Sequence, residues 1–456
     1  MKRYLLMTLI ILIFAGPSYA GVSSPLPALE KTPLPSVEPP NIRAINLPQG
    51  LTCYLLIDRE LPIAEITFLI RAGGINDPFP KRGLAAMTAE LVLQGGTTSL
   101  SPDEVERQLD ALGARLTVDV SREMTVANFK ILSSKLDEGL HLFLDMLFSP
   151  RFSPDRLLVV QKKFLESLKR EEDDPETLAD TRFVQLVYGK ESPWGWRADR
   201  HSLKRITRAD MVAFHQRHFI PANMIVAASG DVTRKHLVDA LTSWISKVSV
   251  VDPHPLTLPK VDLQFREQEQ WIERPLTQSA IRLGHLGIAR HNPDKFAVMV
   301  MNDILGGLPF KSRLMEDIRT ERGLAYGISS DFTPGRDAGL FVVRVSTKSQ
   351  STREVIDLVR SHLRRLVETG DVTPEELAFA KRAELNRFIF SFDRPSKAVT
   401  QQALFHFYGY PDDYWETYRQ GIQAVTIDDI RRVARTYIHP EGLSLVVVGK
   451  RNGQDD

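Results

Sequence analysis

The chain has 456 residues, a formal net charge of +1 and 25% charged residues. That balance excludes the bulk basic charge that drives nucleic-acid binding and excludes an acidic tail. Its 43% hydrophobic content is that of a soluble globular protein long enough for two or more cores. The single cysteine, Cys53, excludes an intrachain disulfide and any thiolate metal cluster.

Met1-Lys2-Arg3 is a short basic start, and Tyr4–Gly16 is an apolar run below the ~20 residues of a membrane span. Ser18-Tyr19-Ala20 offers small residues for cleavage after Ala20, so residues 1–20 read as a secretory signal peptide. An uncleaved anchor is the alternative. Export without disulfides fits a bacterial periplasm, with no stable membrane insertion after cleavage. Residues 21–41 are proline-rich and read as an extended tether.

Leu51–Ile57 and Ile63–Ala72 read as strands, with Ile66, Phe68 and Ile70 on one buried face and Cys53 a buried thiol. Lys81–Gln94 reads as a helix ended by Gly95-Gly96. Ser101-Pro102-Asp103-Glu104 is a capping box opening a helix that stops at Gly113. Two strands follow within Leu116–Ile131, then a helix near Leu136–Leu147. Ser153-Pro154 is expected to cap a long helix to about Glu171, and Asp173-Asp174-Pro175 to break it before a helix over Glu176–Val187. A helix opening at Thr207 ends before Pro221, and a strand at Ile225–Ser229 ends at Gly230.

Residues 246–265 read as a linker, after which the punctuation repeats. Pro154 and Pro374, Pro175 and Pro395, and Tyr188-Gly189 and Tyr408-Gly409 are each 220 apart. Pro221 and Pro440 are 219 apart, Gly95-Gly96 and Gly306-Gly307 are 211 apart, and Gly113 and Gly323 are 210 apart. A near-constant offset at caps, turns and stops implies an internal duplication. Two α+β domains are expected, 42–245 and 266–452, each an antiparallel sheet packed with helices.

In the second repeat Ser312–Arg322 reads as a helix stopped by Gly323, and Leu324–Ile328 as the start of a strand. Arg319 and Tyr326 then leave two successive elements and can converge. A guanidinium and a phenol aimed together suit a peptide carbonyl or the oxyanion formed from it. Equally, Arg319 can pair with Glu316 or Glu321 while Tyr326 packs. His215 and His218 share a helix face without an acidic partner nearby and read as packing histidines.

The run G-G-x(4)-S-R-L-x(4)-R-x(3)-G-L-A-Y, from Gly306 to Tyr326, resembles the C-terminal signature of the pitrilysin/insulinase family of zinc metallopeptidases. The resemblance extends over about Asn41 to Lys450 and implies paired α+β halves of the insulinase or mitochondrial-processing-peptidase type. It implies that Arg319 and Tyr326 hold the substrate backbone over a zinc ion supplied elsewhere, and that Gly306-Gly307 opens a flexible loop at the chamber. Active members carry an inverted zinc motif, H-x-x-E-H, on a helix, with a further glutamate downstream. Matched on the G-L-A start and G-G-T-T end, the motif falls on Ala86–Glu90. Ala86 and Glu90 replace the histidines and Ala89 the general base. The glutamate position, 77 residues beyond Glu90, is Ser167. The expectation is therefore a chain without metal or cofactor of its own and catalytically incomplete alone. It would form the zinc-free half of a periplasmic heterodimeric peptidase, whose partner is a homologous chain with an intact H-x-x-E-H and whose substrates are peptides. The alternatives are a non-enzymatic peptide-binding or structural member, and a stand-alone zinc endopeptidase with an atypical site.

Overall fold

The computed structural model describes residues 38–248 and 258–451. The expected signal peptide, most of the tether and part of the linker lie outside these residues. The chain from Pro39 onward forms one compact unit.

The first half contains β1 (Ala44–Asn46), β2 (Thr52–Ile57), β3 (Ile63–Ile70), β4 (Arg115–Val120), β5 (Thr125–Leu132) and β6 (Met224–Gly230). Its helices are α1 (Leu84–Gln94), α2 (Pro102–Leu112), α3 (Leu136–Phe148), α4 (Pro154–Asp173), α5 (Pro175–Tyr188), α6 (Arg200–Arg205), α7 (Arg208–His218) and α8 (Arg234–Ile245). The second half contains β7 (Gln268–Glu273), β8 (Gln278–Leu286), β9 (Ala325–Thr333), β10 (Leu340–Lys348) and β11 (Ser444–Gly449). Its helices are α9 (Lys295–Asn302), α10 (Thr352–Glu368), α11 (Pro374–Ile389), α12 (Pro395–Phe407), α13 (Tyr414–Ala424) and α14 (Ile427–Tyr437).

The sheet orders are β1-β2-β6-β3-β5-β4 and β7-β11-β8-β10-β9. Without β1 the two orders coincide strand for strand. In each, one pair is parallel (β2 with β6, β7 with β11) and the others antiparallel. Both halves thus carry one α+β plan, in keeping with the offset of their caps and stops.

Each sheet buries one face on its own helices. Ile66, Phe68 and Ile70 of β3 meet α1, α3, α7 and α8. Ile281 and Leu283 of β8 meet α9, α10 and α14. The opposite faces are covered by exchange. Ala398, Val399, Ala403 and Phe407 of α12 pack on Tyr54, Leu69, Ile225 and Ala227 of the first sheet. Leu178, Ala179 and Phe183 of α5 pack on Ala280, Val342, Val446 and Val448 of the second. Burying each large apolar side chain contributes roughly 1.5–3 kcal/mol. Polar contacts follow the same exchange: the Arg282 guanidinium, 2% exposed, meets Asp180 at 2.7 Å and Glu176 at 2.8 Å. The halves do not separate into independent compact units, because each completes the other's core.

Local expectations largely hold at caps. Ser101 with Glu104 and Thr207 with Asp210 form capping boxes, and Gly113 takes φ +60° as the stop of α2. Two starts differ. The expected helix from Lys81 begins only at Leu84, because Gly83 takes φ +101° and the Asp77 carboxylate accepts the N–H groups of Gly83 (2.7 Å) and Ala85 (2.8 Å). Ser153 makes no capping bond; Pro154, preset for the first helical position, opens α4 without one.

Candidate functional site

The degenerate motif lies on α1. Ala86 lines a cleft of about 380 Å³ together with Ser167 of α4, so the fold brings the first and last motif positions to one place. Ala89 is buried and offers only a methyl group. Glu90 is neutralised locally: its carboxylate meets Lys163 Nζ at 2.5 Å and accepts from the Gln94 amide. The Ser167 hydroxyl donates to Glu171 Oε1 at 3.5 Å, and the other Glu171 oxygen is held by Arg197.

A tetrahedral zinc site takes three protein donors and one open position. Here one motif position is a carboxylate paired to an ammonium, another a hydroxyl, and two are alanines. The residues do not fit zinc. Among the described residues no group of three or more histidine, cysteine, aspartate or glutamate side chains is arranged to hold a metal ion. His215 and His218 are both buried. His215 Nε2 lies 2.8 Å from the Leu147 carbonyl oxygen, and burial lowers its pKa to about 4. His218 packs with its ring centre 4.5 Å from that of Phe214.

The arginine and tyrosine occupy a more specialised stretch than the sequence suggests. After Arg313 and Leu314 the helix widens over Met315–Glu321 into a π turn, with Arg322 N–H donating to Asp317 O at 3.1 Å. Gly323, at φ +64°, ends it, and Leu324 N–H returns to Ile318 O at 2.9 Å. Arg319 sits on this turn. Its Nη1 donates to Met315 Sδ at 3.7 Å, and its guanidinium carbon lies 5.4 Å from the centre of the Phe310 ring. Among the described residues it has no ion-pair partner, so neither Glu316 nor Glu321 holds it. π turns concentrate at functional sites because the extra residue displaces side chains from the regular helical surface.

Tyr326 follows on β9, the edge strand of its sheet. Gly327 pairs with Ser346 and Ala325 with Thr347, which leaves Tyr326 as the extra residue of a β-bulge. A bulge re-aims a side chain out of the regular pleat. Tyr326 is 84% exposed, and its hydroxyl has no hydrogen-bond partner among the described residues. The 210-residue offset places Leu109 and Leu116 at the equivalent positions of the first half, and both pack against that half's core. The tyrosine place is therefore packed in one repeat and open to solvent in the other, while Arg319, like Leu109, is half-buried.

Gly306 and Gly307 end a π turn, Asp303–Gly307, rather than forming loop themselves. A Cβ on Gly306 would meet Ser330 Oγ at 2.6 Å, and one on Gly307 would meet Asp303 Oδ1 at 2.7 Å. The glycines are required by close packing, and the exposed turn begins beyond them at Pro309–Lys311. Asp303, the first residue of this π turn, and Glu384 of α11 are both buried. Burial, and then the neighbouring Glu384 carboxylate, push the Asp303 pKa up to about 7, while Arg387 opposes the shift. The Tyr418 hydroxyl donates to Glu384.

Sequence reasoning missed Phe310, the bulge and the carboxyl pair. Only Phe310 left a trace in sequence, as an aromatic residue between a proline and a lysine in a polar turn.

Comparison with known proteins agrees with the fold. The model described as Insulinase (Peptidase family M16) matches residues 55–188, and that described as Peptidase M16 inactive domain matches residues 205–384. A Streptomyces coelicolor protein named an uncharacterized zinc protease is 26% identical over 425 residues, 90% of this chain and 89% of its own length. A Helicobacter pylori protein named a non-peptidase homolog is 25% identical over 402 residues, 86% of this chain and 90% of its own length. The crystal structure of a peptidase M16 inactive domain from Pseudomonas fluorescens superposes with a TM-score of 0.83 at 25% identity, covering 91% of this chain and all of that one. With two family domains in tandem on a duplicated α+β fold, the chain belongs to the insulinase family, peptidase family M16.

Proposed function

We propose that this chain is the zinc-free subunit of an exported, periplasmic heterodimeric peptidase. It binds and positions peptide substrates for a homologous partner chain that carries an intact H-x-x-E-H motif and its zinc ion. The observation that carries this reading is the pair Arg319 and Tyr326. Both are hydrogen-bond donors, both lack a strong partner among the described residues, and both stand on irregular backbone, a π turn and a β-bulge. The donor set at Ala86, Ala89, Glu90 and Ser167 supports the assignment of the metal to another chain.

The partner's metal would polarise the scissile carbonyl and activate water. Within this chain, the Arg319 guanidinium and the Tyr326 hydroxyl donate to the carbonyl oxygen and strengthen their bonds as negative charge develops on it. Such a donor is worth about 10²–10³ in turnover when it is held in place before reaction. Closure of two chains around the peptide excludes water and makes both bonds stronger than in solution.

The test is co-purification with a zinc-bearing homologue followed by a peptide-cleavage assay. Cleavage by the pair well above that of the zinc chain alone supports the reading, and equal rates sink it. A second reading, a non-enzymatic peptide-binding or structural protein, is favoured by the name of the Helicobacter pylori relative. It predicts peptide binding by the lone chain that no partner converts into cleavage.

A further inference from the structure

The cleft at the former metal position holds an unpaired cation. Arg122, in the turn between β4 and β5, lines it together with Ala86 and Ser167. Its side chain makes no ion pair and no hydrogen bond among the described residues; its one aromatic neighbour is the Tyr188 ring, centred 5.6 Å away. Burial holds its guanidinium below the ordinary arginine value.

The acids around it are already committed. Glu171 is bound by Arg197, Asp180 by Arg282 and Arg344, and the adjacent Glu123 by Arg290. The turn is also locked in place. The Arg122 carbonyl accepts Ile75 N–H at 2.9 Å, and a Cβ on Gly73 would lie 2.4 Å from that oxygen. The guanidinium is therefore presented on fixed backbone into a cleft whose other walls include Phe164, Val184, Trp196 and the amide of Gln185. An unpaired, half-desolvated guanidinium matches a planar carboxylate through two parallel bonds. The apolar walls match a hydrophobic group next to that carboxylate.

We infer that this cleft binds the C-terminal carboxylate of a peptide ending in an apolar residue, with Arg122 as the carboxylate anchor. The site belongs to the first half of the lone chain and does not depend on the role assigned to Arg319 and Tyr326.

The test uses the full chain without a partner and three probes, measured by calorimetry. They are N-acetyl-alanyl-phenylalanine with a free carboxylate, its C-terminal amide, and N-acetyl-glutamyl-phenylalanine amide, whose only carboxylate is on a side chain. The expected result is binding of the acid at least ~10-fold tighter than both amides, a difference that Arg122→Gln abolishes. On the wild-type chain, phenylglyoxal labelling of Arg122, read by peptide mass mapping, should be blocked by the acid and not by the amides. Equal binding of acid and amides, equal binding of the side-chain acid, absence of binding, or labelling that the acid does not block would each overturn the inference.

Discussion

The guanidinium of Arg319 lies 5.4 Å from the centre of the Phe310 ring, and Phe310 holds a left-handed φ of +67°. A bulky residue in that conformation stores strain, of order 1–3 kcal/mol. Phe310 is also 68% exposed, so core burial does not offset the cost. Phe310→Gly should raise stability by about 1 kcal/mol in urea unfolding by releasing the strain. It should also lower turnover in the assembled peptidase a fewfold, since Arg319 loses a cation–π contact of about 0.5–1 kcal/mol. A loss of stability would show that the ring packs rather than positions.

Arg319→Ala and Tyr326→Phe should each cut turnover of the assembled peptidase by roughly ten- to a thousandfold. Melting temperature should move little for Tyr326→Phe, because an 84% exposed phenol without an intramolecular hydrogen bond contributes little to folding. Unchanged turnover removes the assigned roles.

The exchange of α5 between halves makes an asymmetric prediction. Glu176→Gln with Asp180→Asn strands the Arg282 charge, 2% exposed, and should cost about 3 kcal/mol or more. Arg282→Met leaves two carboxylates that still touch water, 46% and 42% exposed, and should cost less. Urea midpoints of the two variants in the opposite order would refute this account of the interface.

Asp303 sets a pH dependence. Its folded pKa, about 7, is above the ordinary value of 3.8, so between those values the unfolded chain releases a proton that the folded chain keeps. This group's contribution is most favourable below about pH 4 and is lost as pH rises towards 7. Asp303→Asn should flatten that slope and leave the variant's stability, relative to wild type, better at pH 8 than at pH 4. Parallel slopes in urea unfolding across this range would show that Asp303 ionises normally.

Metal removal should be without effect on the lone chain. Dialysis against a chelator is expected to leave the melting temperature unchanged, since a structural or catalytic ion bound by the folded state would stabilise it. A fall on chelation, restored by zinc, would point to donors other than those at the motif positions.

The repeat was legible because glycines and prolines at caps and stops are fixed by local backbone geometry, as at Gly113 (φ +60°) and Gly323 (φ +64°). The loss of the metal donors was legible for a similar reason: Ala86 and Ala89 have no donor atom in any fold. The irregular backbone at Arg319 and Tyr326 was not, since a π turn and a bulge depend on how one element docks on its neighbours. Gly306 and Gly307 show the difference within one motif. Their identity suggests freedom, whereas contact with Ser330 and Asp303 makes it a matter of space.

By itself the sequence determined the duplicated α+β plan and the lack of donor atoms at Ala86 and Ala89, because these follow from side-chain chemistry and local conformational preference. Only the tertiary structure decided that α5 and α12 are exchanged between the sheets, that Tyr326 is turned out to solvent and that Arg122 lines a cleft without an ion-pair partner among the described residues. Those outcomes depend on contacts between residues far apart in the chain, where burial and charge pairing are settled by neighbours that no local pattern names.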